Sequence, residues 1–218
     1  MTALGELVLR MRGGVPGKLV GELTAPGEST VMARLAAEKH IYSAATVLPE
    51  GMRRVPESVF NRAYENGRYT AFLEAVVDEG AEINRGIAQS AFPQGAGSGL
   101  MTVSEAGVVR LVGRLADGAT ISHANRLSPT LGWPVYAALY GDRGFVTGRV
   151  QFDAAQAGID AVCDAMEWVR PAGRTPPYRA GWPDGIALGF AASKDAVPAS
   201  SANPSSVFGP RLPVNAAQ

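Results

Sequence analysis

Asp153, Asp160 and Asp164 fall within one glycine-containing stretch, and Glu167 follows just beyond. Calcium takes carboxylate and carbonyl oxygens from flexible loops without requiring a fixed sequence word. The spacing therefore admits a loop-held Ca2+ with Asp153, Asp160 and Asp164 as ligands, and Asp142 lies in a neighbouring turn. A cation held there would polarise an ester carbonyl, with Asp164 or Glu167 as general base toward water. The same acids also read as solvated turn residues, because no EF-hand loop is present.

Aromatic residues supply a second possibility. Strand alternation over Trp133–Tyr140 puts Tyr136 and Tyr140 on one face with Pro134 and Ala138, and Trp133 and Leu139 on the other. Together with Trp168, these tyrosines are candidates to line a pocket for an acyl chain or sugar ring, and core packing is the competing reading.

Other chemistries lack their residues. Two His, one Cys and no His-Glu-x-x-His give no zinc site of familiar spacing. Gly95-Ala-Gly-Ser-Gly99 lacks the lysine and following helix of a nucleotide phosphate cradle. Ala96 also stands where a nucleophile elbow needs glycine, so the run reads as a structural turn. His123 shares its strand face with Ile121 and Asn125 while Ser122 points away, which makes it a structural histidine rather than a catalytic one. The lone Cys163 forms no internal disulfide and reads as a small buried apolar residue.

Those residues need a frame, and the composition describes one. The 218 residues are 46% apolar and only 18% charged, with 26 Gly and 15 Pro, a balance suited to short strands and many turns. A formal net charge of zero gives no electrostatic footprint for nucleic acid or anionic lipid. The charged N-terminal run Met1–Arg12 reads as neither signal peptide nor membrane span.

Glu6–Arg12 and Lys18–Thr24 predict a hairpin with Leu7, Leu9 and Met11 on one face and Glu6, Arg10 and Arg12 on the other. Val31–Ile41 admits strand or short helix, and Pro56–Glu65 reads as a helical turn. Arg68–Val77 alternates as a strand, and Asp78–Ala91 is a polar connection that also admits a helix. Val108–Leu115 and Ala119–Leu127 flank Asp117-Gly118, the dipeptide best suited to a tight hairpin. Trp133–Tyr140 and Phe145–Phe152 continue the meander, Gln156–Asp164 reads as a loop, and Ala165–Arg170 and Ile186–Phe190 close it. Arg110, Arg114, Arg126 and Arg149 belong on solvated faces.

The expected fold is all-β and mainly antiparallel: a closed or nearly closed barrel of about ten strands, or a sandwich, with one or two short helices. One domain spans residues 3–191, and 192–218 is a flexible Ala/Ser/Pro-rich tail.

Gly67-Arg-Tyr-Thr70, Gly107-Val-Val-Arg-Leu-Val-Gly-Arg-Leu-Ala-Asp-Gly118, Trp133-Pro-Val-Tyr-Ala-Ala-Leu-Tyr140, Trp168-Val-Arg-Pro171 and Tyr178-Arg-Ala-Gly-Trp-Pro183 occur in that order. With Phe92–Gly99 and Gly144–Gly148, they resemble a β-rich module of large secreted, surface and autotransporter-type bacterial proteins. The resemblance implies a β fold and an extracellular setting, and it carries no agreed chemistry. Taken whole, the chain also resembles small calcium-dependent lactonases from environmental DNA, which implies hydrolysis without assigning a residue.

Two functions follow as expectations. One is Ca2+-assisted hydrolysis of a small lactone or carboxylic ester by a monomer. The other is a non-catalytic adhesion, glycan-contact or structural module of a surface protein.

Overall fold

The computed structural model describes residues 8–15, 17–43, 45–49, 52, 68–77, 83–153, 161–173 and 177–194. Three strands come first: β1 (Val8–Val15), β2 (Lys18–Thr24) and β3 (Val31–Glu38). After β4 (Arg68–Ala75), a two-strand ribbon, β5 (Ile83–Asn84) and β6 (Ile87–Ala88), leads into a 3-10 turn at Gln89–Ala91. Then follow β7 (Gly97–Val103), β8 (Val108–Arg114), β9 (Thr120–Arg126), β10 (Gly132–Leu139), β11 (Gly144–Phe152), β12 (Ala161–Arg170) and β13 (Trp182–Lys194). The all-β, antiparallel expectation is met.

The strands divide into a three-stranded sheet, β1-β2-β3, and an eight-stranded sheet in the order β10-β11-β12-β13-β4-β7-β8-β9. Within the larger sheet, neighbours in sequence are neighbours in space, and the β13–β4 pairing joins the end of the meander to its beginning. The sheet therefore curls toward a ring with one seam, between β9 and β10. Pro134 stands at this seam. It sits on the edge strand, where a missing N–H is tolerated, and its carbonyl accepts from Asn125 Nδ2 at 3.2 Å and lies 3.2 Å from His123 Nε2. Side chains thus bridge at a position where the backbone has no N–H to donate, and an open edge is blunted.

Alternation fills the inside of the curl. Tyr69 and Leu73 on β4, Met101 on β7, Leu111 on β8 and Ile121 on β9 are buried. Trp133, Trp168 and Trp182, all 0% exposed, enter from the other wall. Each Trp buries enough apolar surface to contribute roughly 4–6 kcal/mol at most. Adjacent strands β7 and β8 crowd where Gly99 pairs with Gly113: a Cβ on Gly113 would meet Ser98 O at a distance no side chain tolerates.

Several boundaries differ from the sequence reading. Val31–Glu38 is a strand, resolving the helix-or-strand choice. Ala161–Asp164 belongs to β12 rather than to a loop, because β12 pairs on both sides, with β11 and β13. β13 continues to Lys194, where it pairs with Tyr69 of β4. The proposed helical turn at 56–65 and residues 195–218 lie outside the described residues. The four strand arginines, Arg110, Arg114, Arg126 and Arg149, are exposed as expected. Among the described residues, no helix is long and apolar enough to cross a membrane.

Candidate functional site

The tyrosine pair predicted for one pocket is divided between two environments. Residues 133, 135, 137 and 139 of β10 face inward, and Tyr136 is 60% exposed on the outer wall. Tyr140 does not follow Tyr136 outward, because the strand ends there with φ at 55°, a left-handed conformation unusual for a bulky residue. The ring turns instead over the end of the curled sheet.

There Tyr140 Oη donates to Asp117 Oδ2 at 2.7 Å and accepts from Trp168 Nε1 at 3.0 Å. Arg170 Nε lies 3.5 Å from the same Asp117 oxygen, and the Asp117 side chain is 2% exposed. The Arg170 guanidinium sits 5.3 Å from the Trp182 ring centroid and 5.5 Å from that of Tyr178, within cation–π range. Burial, and then the Asp117 carboxylate, push the Tyr140 phenol well above its ordinary range. This constellation plugs one end of the curl with charges already paired. It offers an anchoring network rather than an open place for substrate.

The outer wall offers the more open arrangement. Tyr136 pairs across β10–β11 with Thr147, and Thr147 pairs across β11–β12 with Glu167. Strand spacing sets Tyr136 and Glu167 about 10 Å apart along that row. Phe145, one step further on the same face, stacks on Tyr136 with centroids 5.6 Å apart and planes at 26°. Thr147 Oγ1 donates to Val135 O at 3.0 Å, which fixes the middle of the row.

Glu167 lies between buried Met166 and Trp168, so it points out of the sheet. Its Oε1 lies 3.2 Å from Arg85 Nη1. Local structure explains how a distant arginine reaches it. Arg85 and Gly86 take φ of 50° and 81°, the primed turn that closes the β5–β6 ribbon. Buried Asn84 locks that ribbon against β13, donating to Ala187 O and accepting from Ala187 N, both at 2.7 Å. Both partners of the Arg85–Glu167 pair are partly exposed, so it contributes little stability and stays available to a ligand.

The three candidate metal ligands are placed elsewhere. Asp153 follows the far end of β11, six residues beyond Thr147 and thus about 20 Å from the Tyr136 row. Asp160 lies outside the described residues, as does the side chain of Asp164; its backbone occupies an irregularity in β12 between Cys163 and Met166. Among the described residues no cluster of three or more His, Cys, Asp or Glu is arranged to hold a metal. Of the expected catalytic and binding residues, then, Tyr136 and Glu167 share the outer face, Tyr140 and Trp168 meet in the buried plug, and Asp153 stands at the other end.

His123 packs against Trp133 with ring centroids 5.5 Å apart, the structural role expected of it. Cys163 is half-buried rather than buried, and it packs against the core. Arg170, Phe145 and Arg85 carry no chemistry in the sequence reading, where Asp117 serves as a turn residue. Arg170 had a sequence signal, since it shares the inward parity of Met166 and Trp168. Arg85 had a weaker one in the turn word Asn84-Arg85-Gly86.

Comparison with protein-family models, curated proteins and solved structures returns no match to this chain.

Proposed function

We propose that this chain is a non-catalytic, glycan-contacting module of a secreted surface protein. The stacked Tyr136–Phe145 pair, with Tyr136 exposed and Phe145 half-buried, beside the Glu167–Arg85 ion pair supports the reading. A pyranose presents a C–H-rich face that packs on aromatic rings, and its hydroxyls bond to carboxylate and guanidinium groups. The row from Tyr136 to Glu167 matches the span of one to two sugar rings. An extended oligosaccharide lying across β10, β11 and β12 meets all of these groups without needing a deep cavity.

The metal-assisted hydrolysis expected from the sequence needs a base, an electrophilic cation and a substrate pocket at one place. Here Glu167 faces outward against Arg85, while inside Tyr140 is committed to Asp117 and Trp168 to Tyr140. Contact without turnover is the reading that uses the groups where they stand. The resemblance to surface-protein modules agrees with it.

The experiment is a pull-down of the full chain on insoluble polysaccharides, repeated with Tyr136→Ala. Retention on at least one polysaccharide, weakened tenfold or more in the variant, is expected. No retention on any matrix, or equal retention of both proteins, overturns the proposal. So does calcium-dependent, chelator-sensitive turnover of a lactone or activated ester.

A further inference from the structure

The 20 basic and 20 acidic side chains cancel over the whole chain, but they do not cancel over one face of β1–β3. Alternation and register put Arg10 and Arg12 of β1, Val20 and Glu22 of β2, and Arg34 and Ala36 of β3 on the same surface. They form two adjoining cross-strand rows, Arg10–Glu22–Arg34 and Arg12–Val20–Ala36. These residues line a shallow depression of about 360 Å3.

Three guanidiniums therefore meet one carboxylate. Arg34 Nε lies 3.6 Å from Glu22 Oε1, and both side chains are open to solvent. Among the described residues Arg10 and Arg12 have no ion-pair partner, although they stand about 7 Å apart along one strand and repel each other. Glu38, the other acid of this face, is drawn off by Arg149 Nη2 at 3.1 Å and does not neutralise them. Between the guanidiniums, the short side chains of Val20 and Ala36 make an exposed apolar floor.

We propose that this face binds an acidic polysaccharide, one whose carboxylates alternate with neutral sugar rings. Guanidinium forks match carboxylates in two-bonded pairs, which a lysine ammonium does not. The apolar floor takes the C–H faces of the rings that lie between charges. Glu22 sets the charge spacing. It stands between Arg10 and Arg34, so closely spaced anionic groups would bring one of them against it. Arg12 and Arg34 lie diagonally across the sheet, about 12 Å apart at the backbone, and sparse carboxylates reach both while stepping over Glu22. A nucleic-acid strand carries a charge about every 3.4 Å. It would also find no aromatic ring in this depression on which to stack a base.

This surface is separate from the sugar platform on β10–β12, and its binding does not rest on that reading. Interferometry of the full chain over immobilised hyaluronate, a polymer of alternating uronate and neutral rings, tests it. Saturable binding at low salt is expected, fading toward about 1 M NaCl, where charges are screened within about 3 Å. R10A/R12A should weaken binding at least tenfold. Glu22→Gln, which removes the one carboxylate lining the depression, should tighten it several-fold. Arg126→Ala, an exposed arginine of the larger sheet, should bind like the parent. Circular dichroism and melting temperature should not change in any of these variants; should R10A/R12A fail to fold, R10Q/R12Q should show the same tenfold loss. No binding, binding indifferent to Arg10 and Arg12, or Glu22→Gln binding no tighter than the parent overturns the proposal. So does equal or tighter binding of single-stranded DNA or dextran sulfate.

Discussion

Tyr140 Oη and Asp117 Oδ2 lie 2.7 Å apart, across a chain separation that joins the β8–β9 turn to the β10–β11 turn. Arg170 approaches the same carboxylate, so three hairpin ends are tied at one buried point. Removing one partner of such a pair leaves the other charge uncompensated. Asp117→Ala should therefore cost about 3–5 kcal/mol of unfolding free energy. Tyr140→Phe, which strips only the hydroxyl and leaves Trp168 Nε1 without its acceptor, should cost about 1–3 kcal/mol. Urea unfolding of both variants checks the order; an Asp117→Ala cost below that of Tyr140→Phe would contradict the network.

The alkaline limb of stability follows from the same phenol. Burial first, and then Asp117, raise its folded pKa above the value of about 10 expected of an unfolded tyrosine. Below that unfolded value the contribution is fully present. As pH rises past it, the unfolded chain releases the proton and the folded chain does not, so stability falls with pH. Burial raises Tyr42 in the same direction. Unfolding free energy should decline above about pH 10, and Tyr140→Phe should show a shallower decline than the parent. Identical slopes would place the alkaline sensitivity elsewhere.

Asp153 lies just past the end of β11, whereas the Tyr136 row crosses that strand nearer its middle, at Thr147. Asp153→Asn combined with Asp160→Asn should leave polysaccharide retention within twofold of the parent protein. Glu167→Gln should lower it several-fold while changing stability by less than about 1 kcal/mol, since the Arg85 pair is exposed. Loss of retention in the Asp153/Asp160 variant would shift the site toward the far loop.

Much of the frame was legible because period-two alternation and turn words are local signals. Asp117-Gly118 marked its hairpin, and Leu9 and Met11 announced the apolar face of β1. Three features were not local. Tyr140 broke the alternation that would have carried it outward beside Tyr136, because φ turns positive at the strand end. Ala161–Asp164 looked like loop because Gly and Asp surround it, yet pairing on both sides holds it in strand. The Arg85–Glu167 contact depends on Asn84 docking against Ala187, a side chain standing in for a strand partner. No periodicity in Asp78–Ala91 encodes that. The acids drew attention by spacing alone, and spacing does not reveal which end of a strand a side chain occupies.

The most direct measurement is a 15N–1H correlation spectrum of the full chain titrated with soluble fragments of the retained polysaccharide. Saturable shifts confined to the amides around Tyr136, Phe145, Thr147 and Glu167, and absent in Tyr136→Ala, are the predicted result. Saturable shifts centred on Asp153 or on the Asp117–Tyr140 plug, or no shifts at all, would contradict it.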